Sequence, residues 1–259
     1  MFLQPEDLSS PAHFEPGAFL DHWSRTHGVP LETLPVGRTL IYSFIGRVGQ
    51  MGGRLGAHEV EGWVYGPGTL FTAGAGEGSV SVARAIAGAA MTVGHLEEFI
   101  HLGVRRIIGL GWAGSLDPAM PVGSLFVAGE AVREEGTSYH YAEASVPAVP
   151  TGPIAQALLE AGRRVGHPVA TGRHWSTDGV YREVRTKVER MARNGVRAVD
   201  METSAMYILG RFRSVEVANL LVISDELFHP WRPAFGTPEL RAAEERSLDV
   251  VLACVETWR

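Results

Sequence analysis

Three observations predict an α/β fold with a largely parallel central sheet. Short apolar runs (TLIYSFIG, GTLFTAG, VRRIIGLG, GSLFVAGEAV and VANLLVIS) alternate with helical stretches such as PIAQALLEAGRRVG, which is the rhythm of strands joined by crossover helices. The run NLLVIS, residues 219–224, does not alternate polar with apolar, as expected of a central strand covered on both faces. Finally, 259 residues at 45% hydrophobic content are enough to bury the core of one large domain.

Taken in order, residues 1–38 are rich in proline, histidine and aromatics without a sustained period and read as an N-terminal arm with one short helix around Phe14 to His27. Residues 39–259 read as the single main domain. The stretch SVSVARAIAGAAMTVGHLEEFIHLG reads as helical after the second apolar run. VDMETSAMY leaves a buried strand and enters a helix whose stripe is Ala205, Ile208, Leu209 and Phe212. The last helix has Thr237 as cap and Pro238 at its first position, with Leu240, Ala243, Leu248, Val251 and Leu252 facing inward. No internal repeat interrupts this plan.

Composition excludes several classes. A net charge of −6 with scattered arginines, and Lys187 as the sole lysine, leaves no footprint for nucleic acid or an anionic membrane surface. A small-molecule partner fits better. The start MFLQPEDLSS is acidic and broken by proline, unlike a secretory signal, and no apolar run reaches the roughly 20 residues of a membrane span, so the expected location is cytoplasmic. The single Cys254 reads as a packed thiol. The histidines at 22, 27, 95, 101, 167 and 174 fall in no metal-ligand spacing, so neither a metal nor another cofactor is expected.

Residues 109–114, GLGWAG, match the outline of a dinucleotide-binding loop, with Glu130 downstream. That motif needs a helix whose N-terminus holds the pyrophosphate, and SLDPAMPVGS follows instead. What remains is a glycine loop able to bring backbone N–H groups near a smaller ligand. The acids Glu202 and Asp225 belong to one strand, helix, strand unit and are placed at the carboxyl edge of the sheet, where open α/β folds keep their ligands. Spacing alone is equally met by a helix cap at Glu202 and a turn at Asp225. Asp200 reads as a cap or a surface acid.

The run VDMETSAMYILGRFRSVEVANLLVISDEL, together with GLGWAGSLDPAMPVGSLFVAGEAVREEGTSYHY, resembles the nucleoside phosphorylase and nucleosidase superfamily, which includes uridine phosphorylases, hexameric purine nucleoside phosphorylases and methylthioadenosine nucleosidases. The resemblance implies a three-layer sandwich with a mixed central sheet and a pentosyltransferase that assembles as a homo-oligomer. Active sites of the family borrow a residue from a neighbour, which makes His13, His22 and His27 of the arm candidates to act in trans. It further implies that Glu202 accepts hydrogen bonds from the ribose 2′- and 3′-hydroxyls, with Met201 against the sugar, and that Asp225 donates a proton to N7 of a purine. Val180 and Tyr181 would contact the base. Gly111 and Trp112 would line the substrate site. His140 and Tyr141, in the matched TSYHY block, read as a structural pair in a strand.

The family's phosphate ligands are another matter. The sequence has no GDPxR loop, and Gly109 and Trp112 stand where an arginine and a hydroxyl residue are usual. Candidate replacements are Arg47 and Arg54 beyond the first strand, and Gly76 and Ser79 in GAGEGS. The resulting expectation is phosphate-dependent cleavage of a purine nucleoside to base and ribose 1-phosphate, with inorganic phosphate as co-substrate. Hydrolysis of the same bond with water, for which Glu77 is the nearest acid, uridine phosphorylase-type specificity, and a non-catalytic nucleoside-binding protein are the alternatives.

Overall fold

The computed structural model describes residues 5–228 and 230–258. Among these, the strands are β1 (Thr39–Ser43), β2 (His58–Glu59), β3 (Leu70–Ala73), β4 (Val80–Arg84), β5 (Arg106–Ser115), β6 (Leu125–Glu134), β7 (Val169–Thr177), β8 (Val196–Asp200), β9 (Glu216–Glu226) and β10 (Arg232–Pro233). The helices are α1 (Pro16–His27), α2 (Val48–Leu55), α3 (Ala89–His101), α4 (Ile154–Arg164), α5 (Arg185–Arg193), α6 (Thr203–Arg213) and α7 (Pro238–Val255).

The strands form one mixed sheet in the order β10-β9-β6-β7-β8-β5-β1-β4-β3-β2. It also closes on itself, because β5 pairs with β9 along its whole length and with β8 at Gly114 and Ser115. Alternation along β1 shows the layering: Leu40 and Tyr42 join a core with α3 and α6, whereas Ile41 joins another with α2, α4 and α7. This is the expected three-layer sandwich with a mixed, largely parallel sheet. β9 is central, flanked by β5 and β6, and Asn219 to Ser224 are all buried.

Local chemistry sets the ends of several elements. Thr237 Oγ1 accepts the Leu240 N–H at 3.2 Å, and Pro238 opens α7. α1 also opens on proline and stops at Gly28 in the left-handed region. It packs on α3, where a Cβ at Gly17 would lie 2.4 Å from the His101 ring, and Leu20 is fully buried. The part of the 1–38 segment that α1 forms therefore lies against its own chain, with His13, His22 and His27 exposed.

Four details differ from the sequence reading. SVSVAR is not helical but forms β4, because its alternating residues pair with β1 on one side and β3 on the other. β7, VATGRHWST, carries no apolar run because its first five residues are not fully buried; only His174 to Thr177 enter the core. α6 is buried on all sides from Thr203 to Gly210, whereas Phe212 is 44% exposed and sets its edge against Tyr141. Tyr141 follows a 3-10 turn, Thr137–His140, rather than lying in a strand, and His140 is exposed.

GLGWAG is also not a loop: all six residues lie within β5. Its glycines answer to close packing. A Cβ on Gly109 would sit 2.2 Å from Asn219 Oδ1, and one on Gly114 would sit 2.3 Å from Leu227. The pairing of β5 with β9 shifts register between Ala113 and Gly114, a bulge that breaks the ladder beside Asp225.

Candidate active site

A cleft of about 1180 Å³ opens at the carboxyl ends of β1, β4, β5, β8 and β9. Phe44 after β1, Ala85 and Ala87 after β4, and Gly111 to Gly114 of β5 form one side. Asp200, Met201 and Glu202 after β8 face Ser224 and Asp225 at the end of β9. Val180 and Tyr181 stand at the rim on a 3-10 turn, Val180–Arg182, with Tyr181 96% exposed. The structure thus brings Glu202, Asp225, Met201, Val180, Tyr181, Gly111 and Trp112 into one concavity.

At the β8 to α6 corner the two acids divide their roles. Asp200 caps α6: its carboxylate accepts the backbone N–H groups of Glu202 and Thr203 and the hydroxyls of Thr203 and Ser176. It also lies 2.9 Å from His174 Nε2, a ring with no exposed surface. Burial opposes ionisation of Asp200, but the imidazole and the two hydroxyls outweigh it and hold this carboxyl below its ordinary range. Asp200 is therefore a buried cap, not a surface acid.

Glu202 occupies the cap position without capping by its side chain. Its Oε1 instead accepts the Gly88 N–H, at the start of α3, at 2.6 Å. Burial, and then the negative charge of Asp200, raise its carboxyl to about 8. The structural reading of Glu202 as its own helix cap is excluded by the Asp200 geometry. Its Oε2 accepts the Met201 N–H at 3.3 Å, and the buried carboxyl lines the cleft, where a ligand's hydroxyls can meet its remaining lone pairs.

Removal of Asp200 should therefore be felt in the fold. Asp200→Ala strips a buried partner from His174 and an N-cap from α6, a class of change that costs about 3–5 kcal/mol. Urea denaturation should show that loss. A change below about 1 kcal/mol, ordinary for an exposed ion pair, would mean that the cap is dispensable.

Asp225, paired in register with Gly114 and Pro233, accepts the Ser224 hydroxyl on Oδ1 at 2.8 Å and the Trp231 indole N–H on Oδ2 at 2.9 Å. Trp231, 61% exposed, and Phe235 continue the rim from the segment around β10. Trp112 meets Phe235 edge-on and donates its indole N–H to Glu244.

The four phosphate candidates are not in the cleft lining. Gly76 and Ser79 precede β4 at its amino end, the edge opposite the cleft, and the Ser79 hydroxyl is engaged with the Gly76 carbonyl and the Arg38 N–H. Arg47 is spread over Glu244, Glu245 and Gln50, with Nε and Nη2 both on Glu244 Oε2. Freeing it would leave Glu244, itself buried, without its cation. Arg54 pairs with Asp249 at 2.7 Å on the outer end of α2. Glu77, the weak water-activating candidate, pairs with Arg38 at the same far edge as Ser79.

The sequence profile of the phosphorylase superfamily matches residues 45–256. This chain belongs to the phosphorylase superfamily. A uridine phosphorylase from Treponema pallidum is 33% identical over 193 residues, covering 70% of this chain and 73% of that one. A guanosine phosphorylase from Halorubrum lacusprofundi is 28% identical over 132 residues, about half of each chain. A purine nucleoside phosphorylase from Toxoplasma gondii, solved with immucillin-H, superposes with a TM-score of 0.76 over 86% of this chain and 92% of that chain, at 23% identity; this establishes the shared fold. The resemblance drawn from the two sequence blocks stands, and the protein is an enzyme of the nucleoside phosphorylase class.

The charge along the cleft of this phosphorylase superfamily member is one-sided. Among the described residues, four carboxyls line it (Asp200, Glu202, Glu183 and Asp225) against one basic residue, Arg185. Glu183, Arg185, Trp231 and Phe235 were not singled out from the sequence, because each lies in a connecting segment or, for Arg185, at the first position of α5, and enters the cleft only through the path of the chain there. No three His, Cys, Asp or Glu side chains among the described residues are grouped to hold a metal ion. No described helix is long and apolar enough to cross a membrane.

Proposed function

We propose that this enzyme cleaves the N-glycosidic bond of a purine nucleoside, with phosphate as the acceptor of the ribosyl group. The observation that carries the reading is the pairing of Glu202 and Asp225 across one apolar-walled cleft. As the C1′–N bond breaks, positive charge grows on the sugar and the bond's electron pair moves to the base. Glu202 is set to hold the 2′- and 3′-hydroxyls and, as its carboxylate, to favour the cationic sugar. Asp225 engages the departing base, and Tyr181, Trp231 and Phe235 offer ring faces to it. The purine assignment rests on the acid after β9. The relatives' names, uridine and guanosine phosphorylase, support ribosyl transfer to phosphate without choosing between bases.

Hydrolysis is the second reading, and one observation favours it: Arg47 and Arg54 are held by carboxylates of α7, and among the described residues no cation lines the Phe44, Ala85 and Ala87 side of the cleft to hold a phosphate dianion. A neighbouring subunit in a homo-oligomer could supply one. Incubation with inosine, guanosine, adenosine and uridine, with and without phosphate, decides between the two. Base with ribose 1-phosphate, formed only when phosphate is present, is the expected result. Base with free ribose and no phosphate requirement would establish hydrolysis, and no base from any of the four would remove both.

A further inference from the structure

We propose that Glu183 is the group that hands the proton to the leaving base, working as one unit with Asp225. This rests on the glycosidic-bond reading above and adds to it a residue and a source for the proton.

The backbone turns Glu183 inward. From Val180 to Thr186 every residue is exposed except Glu183, which is half-buried and lines the cleft. Two valines of that run, Val180 and Val184, stay exposed while the acid turns in, the reverse of what burial of apolar surface dictates. Such an inversion marks a side chain held for a ligand rather than for packing.

Hydrogen-bond inventory separates the two carboxyls. Asp225 already accepts one donor on each oxygen, and the Trp231 indole can only donate. Glu183 makes no side-chain hydrogen bond with the described residues, so an O–H there is free to point at a ligand. Burial first, and then the negative charge of Asp225, lift the Glu183 carboxyl to about 7. Lys187 opposes this, but its ammonium is held by Glu134 at 2.6 Å, and Glu134 itself acts in the upward direction. Two carboxyls in one apolar cleft whose environments differ in this way form an acid and an acceptor.

The step balances within the site. The C1′–N bond breaks as a phosphate oxygen bonds to C1′, the broken bond's electron pair passes to the base, and the proton moves from the Glu183 carboxyl to the basic ring nitrogen. Glu183 and Asp225 are then both ionised, with Arg185 on the same cleft wall and free of any ion pair among the described residues. Solvent returns the proton once the base departs.

Glu183→Gln, compared with the wild-type enzyme on inosine and on p-nitrophenyl riboside, tests the assignment. The expected result is a loss of about 100-fold or more in turnover of inosine, with p-nitrophenyl riboside, whose leaving group needs no proton, within about threefold of wild type. A second readout does not depend on turnover: quenching of tryptophan fluorescence by hypoxanthine across pH. Affinity should fall as pH rises through about 7 in the wild type and stay flat in the variant. Equal losses on both substrates, or no loss on inosine with an unchanged pH profile, would overturn the role. Failure of the parent reading looks different: wild-type enzyme would then release base from neither substrate and show no saturable quenching.

Discussion

Glu202→Ala is expected to lower kcat/KM on ribonucleosides by about 100- to 10,000-fold and to erase the preference for ribo- over 2′-deoxyribonucleosides. The size follows from two hydroxyl donors to one carboxylate at about 1.5–3 kcal/mol each, with tenfold for each 1.4 kcal/mol. The loss should fall mainly on sugars that carry both hydroxyls, because the contact made with Gly88 N–H is structural and common to all substrates. Comparing inosine with 2′-deoxyinosine checks this, and an intact preference would return Glu202 to a structural role. The pH dependence has a definite sign. Burial and the charge of Asp200 raise the folded carboxyl to about 8, above the range of an unfolded glutamate. The protonated form therefore adds stability at pH values below that unfolded range, and this is lost as pH rises through about 8. Nucleoside binding runs the other way, since hydroxyl donors favour the carboxylate: apparent affinity should rise towards pH 8 in the wild type and not in Glu202→Gln.

Asp225→Asn should depress turnover of purine nucleosides by about 100- to 10,000-fold, the usual span for loss of acid assistance, with much smaller effects on p-nitrophenyl riboside. Two consequences of the substitution act together. An amide keeps an acceptor for either the Ser224 hydroxyl or the Trp231 indole but not for both in their present geometry. It also removes the charge that helps Glu183 keep its proton, so the fall of activity with rising pH should begin at lower pH than in the wild type. Single-turnover rates on the two leaving groups, measured across pH, test both. Equal losses on both substrates would take Asp225 out of the chemistry at the base.

Legibility in the sequence followed physical simplicity. β1, β3, β5, β6 and β9 were readable because each carries its own apolar run, and Thr237 with Pro238 announced α7 because capping is a local hydrogen bond. β4 was hidden, since the alternation in SVSVAR gains meaning only once β1 and β3 flank it. β7 was hidden because half of it stays near solvent.

The sequence by itself determined the α/β class, the helix boundaries set by proline and glycine, and the pair Glu202 and Asp225 at strand ends, because these rest on period, local capping and chain direction. Tertiary structure alone decided which acid caps α6, and it did so by bringing His174 and Ser176 of β7 beneath Asp200. It also decided that Arg47 is bound by Glu244, nearly 200 residues away in sequence, and that Glu183 points into the cleft. Each depends on electrostatic neighbours that adjacency in the chain does not supply, since burial and charge act through space while sequence motifs act along the backbone.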